Sequence, residues 1–93
     1  ELPLAVEVLN ASGRNGFAAQ AKKILRLKGA DVVLTANSES QAKTLVLDRT
    51  GRFENAEAVR GMLNCSSAET LTQMDLKKSV DVTVVLAEDC PLQ

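Results

Sequence analysis

The chain has 93 residues, 45% of them hydrophobic and 25% charged, which fits one hydrophobic core and leaves no case for disorder or a fibrous repeat. Its 11 basic and 12 acidic residues leave a formal net charge of −1, so no global field draws it onto nucleic acid or anionic lipid. Histidine is absent, which removes Ser-His-Asp and Cys-His chemistry, and 2 cysteines alone cannot close a structural zinc site.

Leu4 to Leu9 is short, apolar and rich in β-branched residues, and it runs into an Asn/Ser/Gly cluster, as a buried first strand ending in a turn does. From Phe17 the period changes to that of a helix, with Phe17, Ala21, Ile24 and Leu25 on one face, Asn15 as its N-cap and Gly29 just past its end. The Lys22, Lys23, Arg26 and Lys28 cluster complements the negative end of that helix dipole. Asp31 to Thr35 and Thr44 to Asp48 read as a second and a third strand, expected to form a hairpin. Phe53, Ala56, Val59 and Leu63 resume helical spacing. Asn64 to Val80 is polar and ambiguous, with Glu69 to Gln73 as a short extended piece, and Asp81 to Leu86 is a clear final strand.

The order βαββαβ predicts an α+β, ferredoxin-like (split βαβ) sandwich over residues 1–93 as one domain. Two helices cover one face of a four-stranded antiparallel sheet, with the first and third strands central. Val6, Val8, Leu25, Val46, Val59 and Val84 are the expected core. No apolar run approaches the about twenty residues of a membrane span, and Glu1 to Leu4 lack the basic start and apolar run of a secretory signal.

The richest loop is Asn10 to Gly16, where Ser12, Gly13, Arg14, Asn15 and Gly16 sit between a buried strand and a helix N-terminus. No Gly-Lys-Ser/Thr follows, so it is not a P-loop, and no acidic residue closes the second strand as in a dinucleotide fold. Turn geometry accounts for the glycines, and a cap or turn role for the Ser12 hydroxyl, which has no evident base. The same element order serves RNA-binding sheets, but Leu4 to Leu9 and Thr44 to Asp48 carry no aromatic side chain on which a base could stack. Neither a catalytic constellation nor a cofactor or metal motif appears. A small anion or nucleotide held by the Asn10 to Gly16 loop, with Lys77 and Lys78 facing it from the Asn64 to Val80 segment, is the site these residues offer.

The run from Val6 to Ala19, with Asn10-Ala-Ser-Gly13-Arg-Asn-Gly16, together with Asp81-Val-Thr-Val-Val-Leu86-Ala-Glu-Asp89, resembles the LytR C-terminal domain family. There the first strand likewise runs into Asn-Gly-Ser-Gly-x-x-Gly and the last reads Asp-Val-Thr-Val-Val-Leu; Ala11 stands where the family commonly has glycine. The resemblance implies an extracytoplasmic, non-enzymatic accessory module of a bacterial cell-envelope protein, with a protein partner or a cell-wall glycopolymer as its ligand. It does not carry over the phosphotransferase reaction of the larger domain often found beside it.

Cys65 and Cys90 would normally pair in an exported protein. If Cys65 lies at the start of the last strand and Cys90 past its far end, they stand about 20 Å apart. Free thiols are therefore expected.

Overall fold

The computed structural model describes residues 3–92; Glu1, Leu2 and Gln93, the ends of the 1–93 span, lie outside them. Strand β1 (Ala5–Asn10), helix α1 (Phe17–Leu27), β2 (Asp31–Asn37), β3 (Leu45–Asp48), α2 (Phe53–Leu63), β4 (Glu69–Thr72) and β5 (Val82–Leu86) follow in that order. The α+β class with two helices matches the sequence reading. The arrangement of the strands does not.

The sheet is mixed and has five strands in the order β2-β1-β5-β3-β4. β1 pairs in parallel with β2 and with β5, β3 pairs in parallel with β4, and β3 runs antiparallel to β5. The expected β2–β3 hairpin is absent, because each of these strands instead pairs within its own βαβ unit, β1-α1-β2 or β3-α2-β4. β5 is the central strand. All five of its residues are buried, so Val-Thr-Val-Val-Leu fits only where both faces and both edges are covered. β4, half-read as an extended piece, has mostly exposed residues and closes one edge of the sheet.

Both helices pack on one face. Val6, Val8, Leu25, Val46, Val59 and Val84 are all fully buried in the core between helices and sheet, together with Phe17, Ala56 and Leu63. Burying each of these Val, Leu and Phe side chains contributes about 1.5 to 3 kcal/mol. α1 ends in a Schellman turn, with the Ala30 N–H donating to the Leu25 carbonyl at 3.0 Å and the Gly29 N–H to Arg26 at 3.1 Å. Its start differs from the reading above: Gly16, not Asn15, holds the N-cap position, and no side chain caps it.

Two carboxylates tie the strands together. Asp81 accepts the Ala5 N–H at 2.9 Å, while its own N–H donates to the Ala5 carbonyl and its carbonyl accepts the Arg49 N–H. It thus joins the ends of β1, β5 and β3. Asp48, fully buried, accepts the Thr50 N–H at 3.0 Å and the Thr72 hydroxyl at 3.0 Å, linking β3 to β4 and to the turn into α2. Burial pushes its pKa up, but the hydrogen bonds from the Thr50 N–H, the Thr72 hydroxyl, the Arg52 N–H and the Thr50 hydroxyl outweigh that and hold it below the ordinary value.

Cys65 and Cys90 form a disulfide with their Cα atoms 5.3 Å apart, which corrects the free-thiol expectation. The additional strand is the reason. After Cys65 the chain traverses the sheet as β4, crosses to the start of β5 and returns along it, so Cys90 arrives at the end where Cys65 began. Asn64, in the left-handed conformation with φ 55°, turns the end of α2 towards that meeting point.

The bond closes a loop of sequence separation 25. Chain entropy then predicts that Cys65→Ala/Cys90→Ala loses about 3 to 4 kcal/mol of stability, measured by urea unfolding. Thiol titration of the unfolded, unreduced chain should find no free thiol. A second outcome concerns acid. The lowered pKa of Asp48 contributes stability that is fully present above its unfolded value of about 4 and is lost as pH falls through the folded value. Asp48→Asn should be less stable at neutral pH and show a flatter stability curve below about pH 4 in the same unfolding assay.

Candidate functional site

Asn10 ends β1, and its side chain organises the loop that follows. Its Nδ2 donates to the Arg14 carbonyl at 2.8 Å, and its Oδ1 accepts both the Ser12 N–H at 3.1 Å and the Ser12 hydroxyl at 2.6 Å. The Ser12 oxygen in turn accepts the Arg14 N–H at 3.0 Å. Both polar side chains are nearly buried and committed to the turn itself. Gly13 (φ 76°) and Gly16 (φ 82°) supply left-handed positions that a Cβ would strain. Among the described residues Ser12 has no basic side chain within hydrogen-bond distance; its hydroxyl is bonded to Asn10 and to the Arg14 N–H.

Asn15 is exposed, and so is Arg14, the charged side chain of this loop. Arg14 lies over the Phe17 ring at 5.7 Å from the centroid, and its Nε is 3.8 Å from a Glu88 carboxylate oxygen, an exposed contact worth little. A shallow cavity of about 150 Å³ is lined by Asn10, Gly13, Arg14, Asn15, Asn37 and Ser38. The loop shares its end of the sheet with the end of α2 and the end of β5, where the disulfide sits. The start of β5 lies at the opposite end, beside Ala5.

Lys77 and Lys78 are therefore not brought to the loop. They belong to the 73–81 segment, which crosses the far end of the sheet: its Asp75 N–H donates to the Arg49 carbonyl, and its Asp81 meets Ala5. Lys77 is exposed. The Lys78 Nζ lies 3.2 Å from a Glu7 carboxylate oxygen.

That ion pair belongs to a cluster that sequence reasoning missed. Glu7, 4% exposed, projects from β1 on the face away from the helices. It accepts the Thr83 hydroxyl at 2.8 Å; the Thr83 oxygen accepts the Arg49 Nε at 3.0 Å; and the Arg49 Nη1 donates to the Gln73 carbonyl at 3.1 Å. Glu7 and Thr83 are direct neighbours across β1 and β5. A signal existed, since a carboxylate in the middle of Leu4-Ala-Val-Glu-Val-Leu9 must face either water or a partner. Its direct partners lie 71 and 76 positions away in sequence, too far for spacing to reveal. The cluster is closed, with Thr83 fully buried and Arg49 9% exposed, so it holds the 73–81 segment against the sheet and presents no reactive group. Among the described residues every buried side-chain polar atom has a hydrogen-bond partner, and no three metal-ligating side chains come together.

Removing Glu7 leaves the buried Thr83 hydroxyl without its acceptor and Lys78 without its ion-pair partner. Glu7→Ala should destabilise the chain by about 2 kcal/mol in denaturant unfolding, mostly through the stranded Thr83 hydroxyl. Lys77→Ala should stay within about 0.5 kcal/mol of the parent.

The model of the family described as LytR cell envelope-related transcriptional attenuator matches residues 4–89. Among solved structures the chain is similar to the soluble domain (residues 71–217) of a conserved hypothetical secreted protein, the Rv2700 ortholog of Mycobacterium marinum. The TM-score is 0.65 at 25% identity, covering 96% of this chain and 62% of that one, so the chain spans less than two thirds of that domain. It also shares its fold with the C-terminal domain of RV0431 at a TM-score of 0.53 and 24% identity, covering 94% of this chain and 74% of that one. No curated protein matches the chain.

Proposed function

The chain belongs to the LytR C-terminal family, and from that premise we propose that it is a non-catalytic accessory module of a bacterial cell-envelope protein that binds a protein partner or a cell-wall polymer. The observation that carries the reading is the family match, which runs through both end motifs, from the strand entering Asn10 to Gly16 to the Asp81 to Leu86 strand. The secreted protein whose soluble domain it resembles supports a place outside the cytoplasm.

A second reading is favoured by the small cavity at Gly13 and Arg14: an anionic group of a wall polymer sits against the Asn10 to Gly16 loop. Lys77 and Lys78 take no part in it. One titration tests both readings. Purified cell-wall fragments should shift backbone amide resonances without being consumed, and turnover of the fragments would sink the module reading. Shifts centred on Ser12 to Phe17 that weaken with salt and with Arg14→Ala would assign the loop; still loop amides at millimolar fragment would dismiss it.

A further inference from the structure

The two edges of the sheet are guarded unequally. β4 is 4 residues long, with the Thr70 hydroxyl held by the Glu57 carboxylate of α2 at 2.6 Å. β2 is 7 residues long, and only Val32 of it is buried. Its inner edge pairs with β1, and among the described residues no strand pairs with its outer edge. Long edges of this kind usually carry lysine, proline or a bulge against strand addition. Here the register shift that leaves Val33 unpaired and the Arg26 guanidinium, which donates to the Val32 carbonyl at 3.2 Å, guard the first part alone. From Leu34 to Asn37 the edge carries no charge and no proline, with Leu34 49% exposed.

Arg26 also fixes what lies beside this edge. Its contact with Val32 places one side of α1 next to β2, and Arg26 lines a surface groove of about 350 Å³ with Ala19, Lys22, Lys23 and the exposed Leu27. Among the described residues no carboxylate lies within ion-pairing distance of Lys22, Lys23 or Arg26. A second copy adding through β2 would bring two such cationic stripes together across a two-fold axis, which like charge opposes. A strand bearing carboxylates gains instead.

The geometry points to β2 as a docking edge for an extended acidic segment of a protein partner. That segment adds as a sixth strand along Leu34 to Asn37, with its carboxylates on Arg26, Lys22 and Lys23. Main-chain hydrogen bonds supply the pairing, and the cations beyond Val33 set register and sign. The inference rests on the binding-module reading and gives it a partner class.

The probe is a blocked synthetic hexapeptide, valine and threonine alternating over four residues and closing on two glutamates, with a lysine-ended twin as control. Titrated into the 93-residue chain, the glutamate peptide should shift the amides of Leu34 to Asn37 and the Arg26 Nε–H, and slow amide exchange along β2. Lys22→Glu/Lys23→Glu, which leaves the Arg26 hydrogen bond to Val32 in place, should weaken it about tenfold and reverse the preference towards the lysine peptide, one such factor being 1.4 kcal/mol. Equal binding of both peptides, or shifts confined to Asn10 to Gly16, would overturn the proposal. So would a concentration-dependent dimer that protects the same amides without peptide. If the peptide fails while wall fragments shift amides elsewhere, the edge falls and the module reading stands; turnover of those fragments sinks the module reading itself.

Discussion

Val82–Leu86 is buried along its whole length, and a strand with apolar side chains on both faces belongs in the middle of a sheet. Placing β5 there determines the rest. β1 must lie along one of its edges and β3 along the other, in parallel and antiparallel sense respectively. Each brings a βαβ unit with it, and because the crossover of such a unit is right-handed, both helices come to lie on the same face. β2 and β4 are left as the two edges. The chain direction of β5 then carries Cys90 back to Cys65 and sets Glu88 beside Arg14.

The same placement divides the polar chemistry. On the helix side β1 and β5 contribute Val6, Val8, Val82 and Val84, all fully buried and apolar. On the other face, where no helix lies, the neighbouring pair is Glu7 and Thr83, and the 73–81 segment brings Lys78 and Gln73 over them. Burying a carboxylate there is tolerable because the Lys78 ammonium and the Thr83 hydroxyl contact it, and Arg49 in turn holds that hydroxyl. The arrangement stabilises the position of an otherwise irregular segment, and that explains a charged residue between Val6 and Val8, which serve the core.

How much of this was legible in the sequence follows from the range of the forces involved. Periodicity is local, so the 3.6-residue spacing of Phe17, Ala21 and Leu25 and the β-branched run at Val82 announced their elements and the six core residues. Pairing is not local. Thr44 to Asp48 after a polar stretch reads as the second arm of a hairpin, and nothing within a few residues reveals that its partners are β4 and β5. Glu69-Thr-Leu-Thr72 is too short and too exposed to show a period, yet omitting it reversed the chain direction of everything that follows. The error about the cysteines came from that one strand. β5 itself held the clue: Val-Thr-Val-Val-Leu does not alternate as a strand with one wet face does, which argues for a central position and against a simple antiparallel meander.

The loop singled out from sequence was correctly placed between β1 and α1, but its residues turned out to serve one another. Asn10 and Ser12 satisfy the turn's N–H and carbonyl groups, which a buried turn next to a core must do. A motif of Asn, Ser and Gly therefore announces an obligation of the fold before it announces a ligand. The groups that remain unsatisfied lie elsewhere, on the backbone of an edge strand whose side chains carry almost no information in a motif search. Side-chain motifs are what sequence makes visible, while an open strand edge is a property of topology. A domain with no histidine, no metal ligands in register and no orphaned buried polar atom among its described residues can still recognise another chain through such an edge.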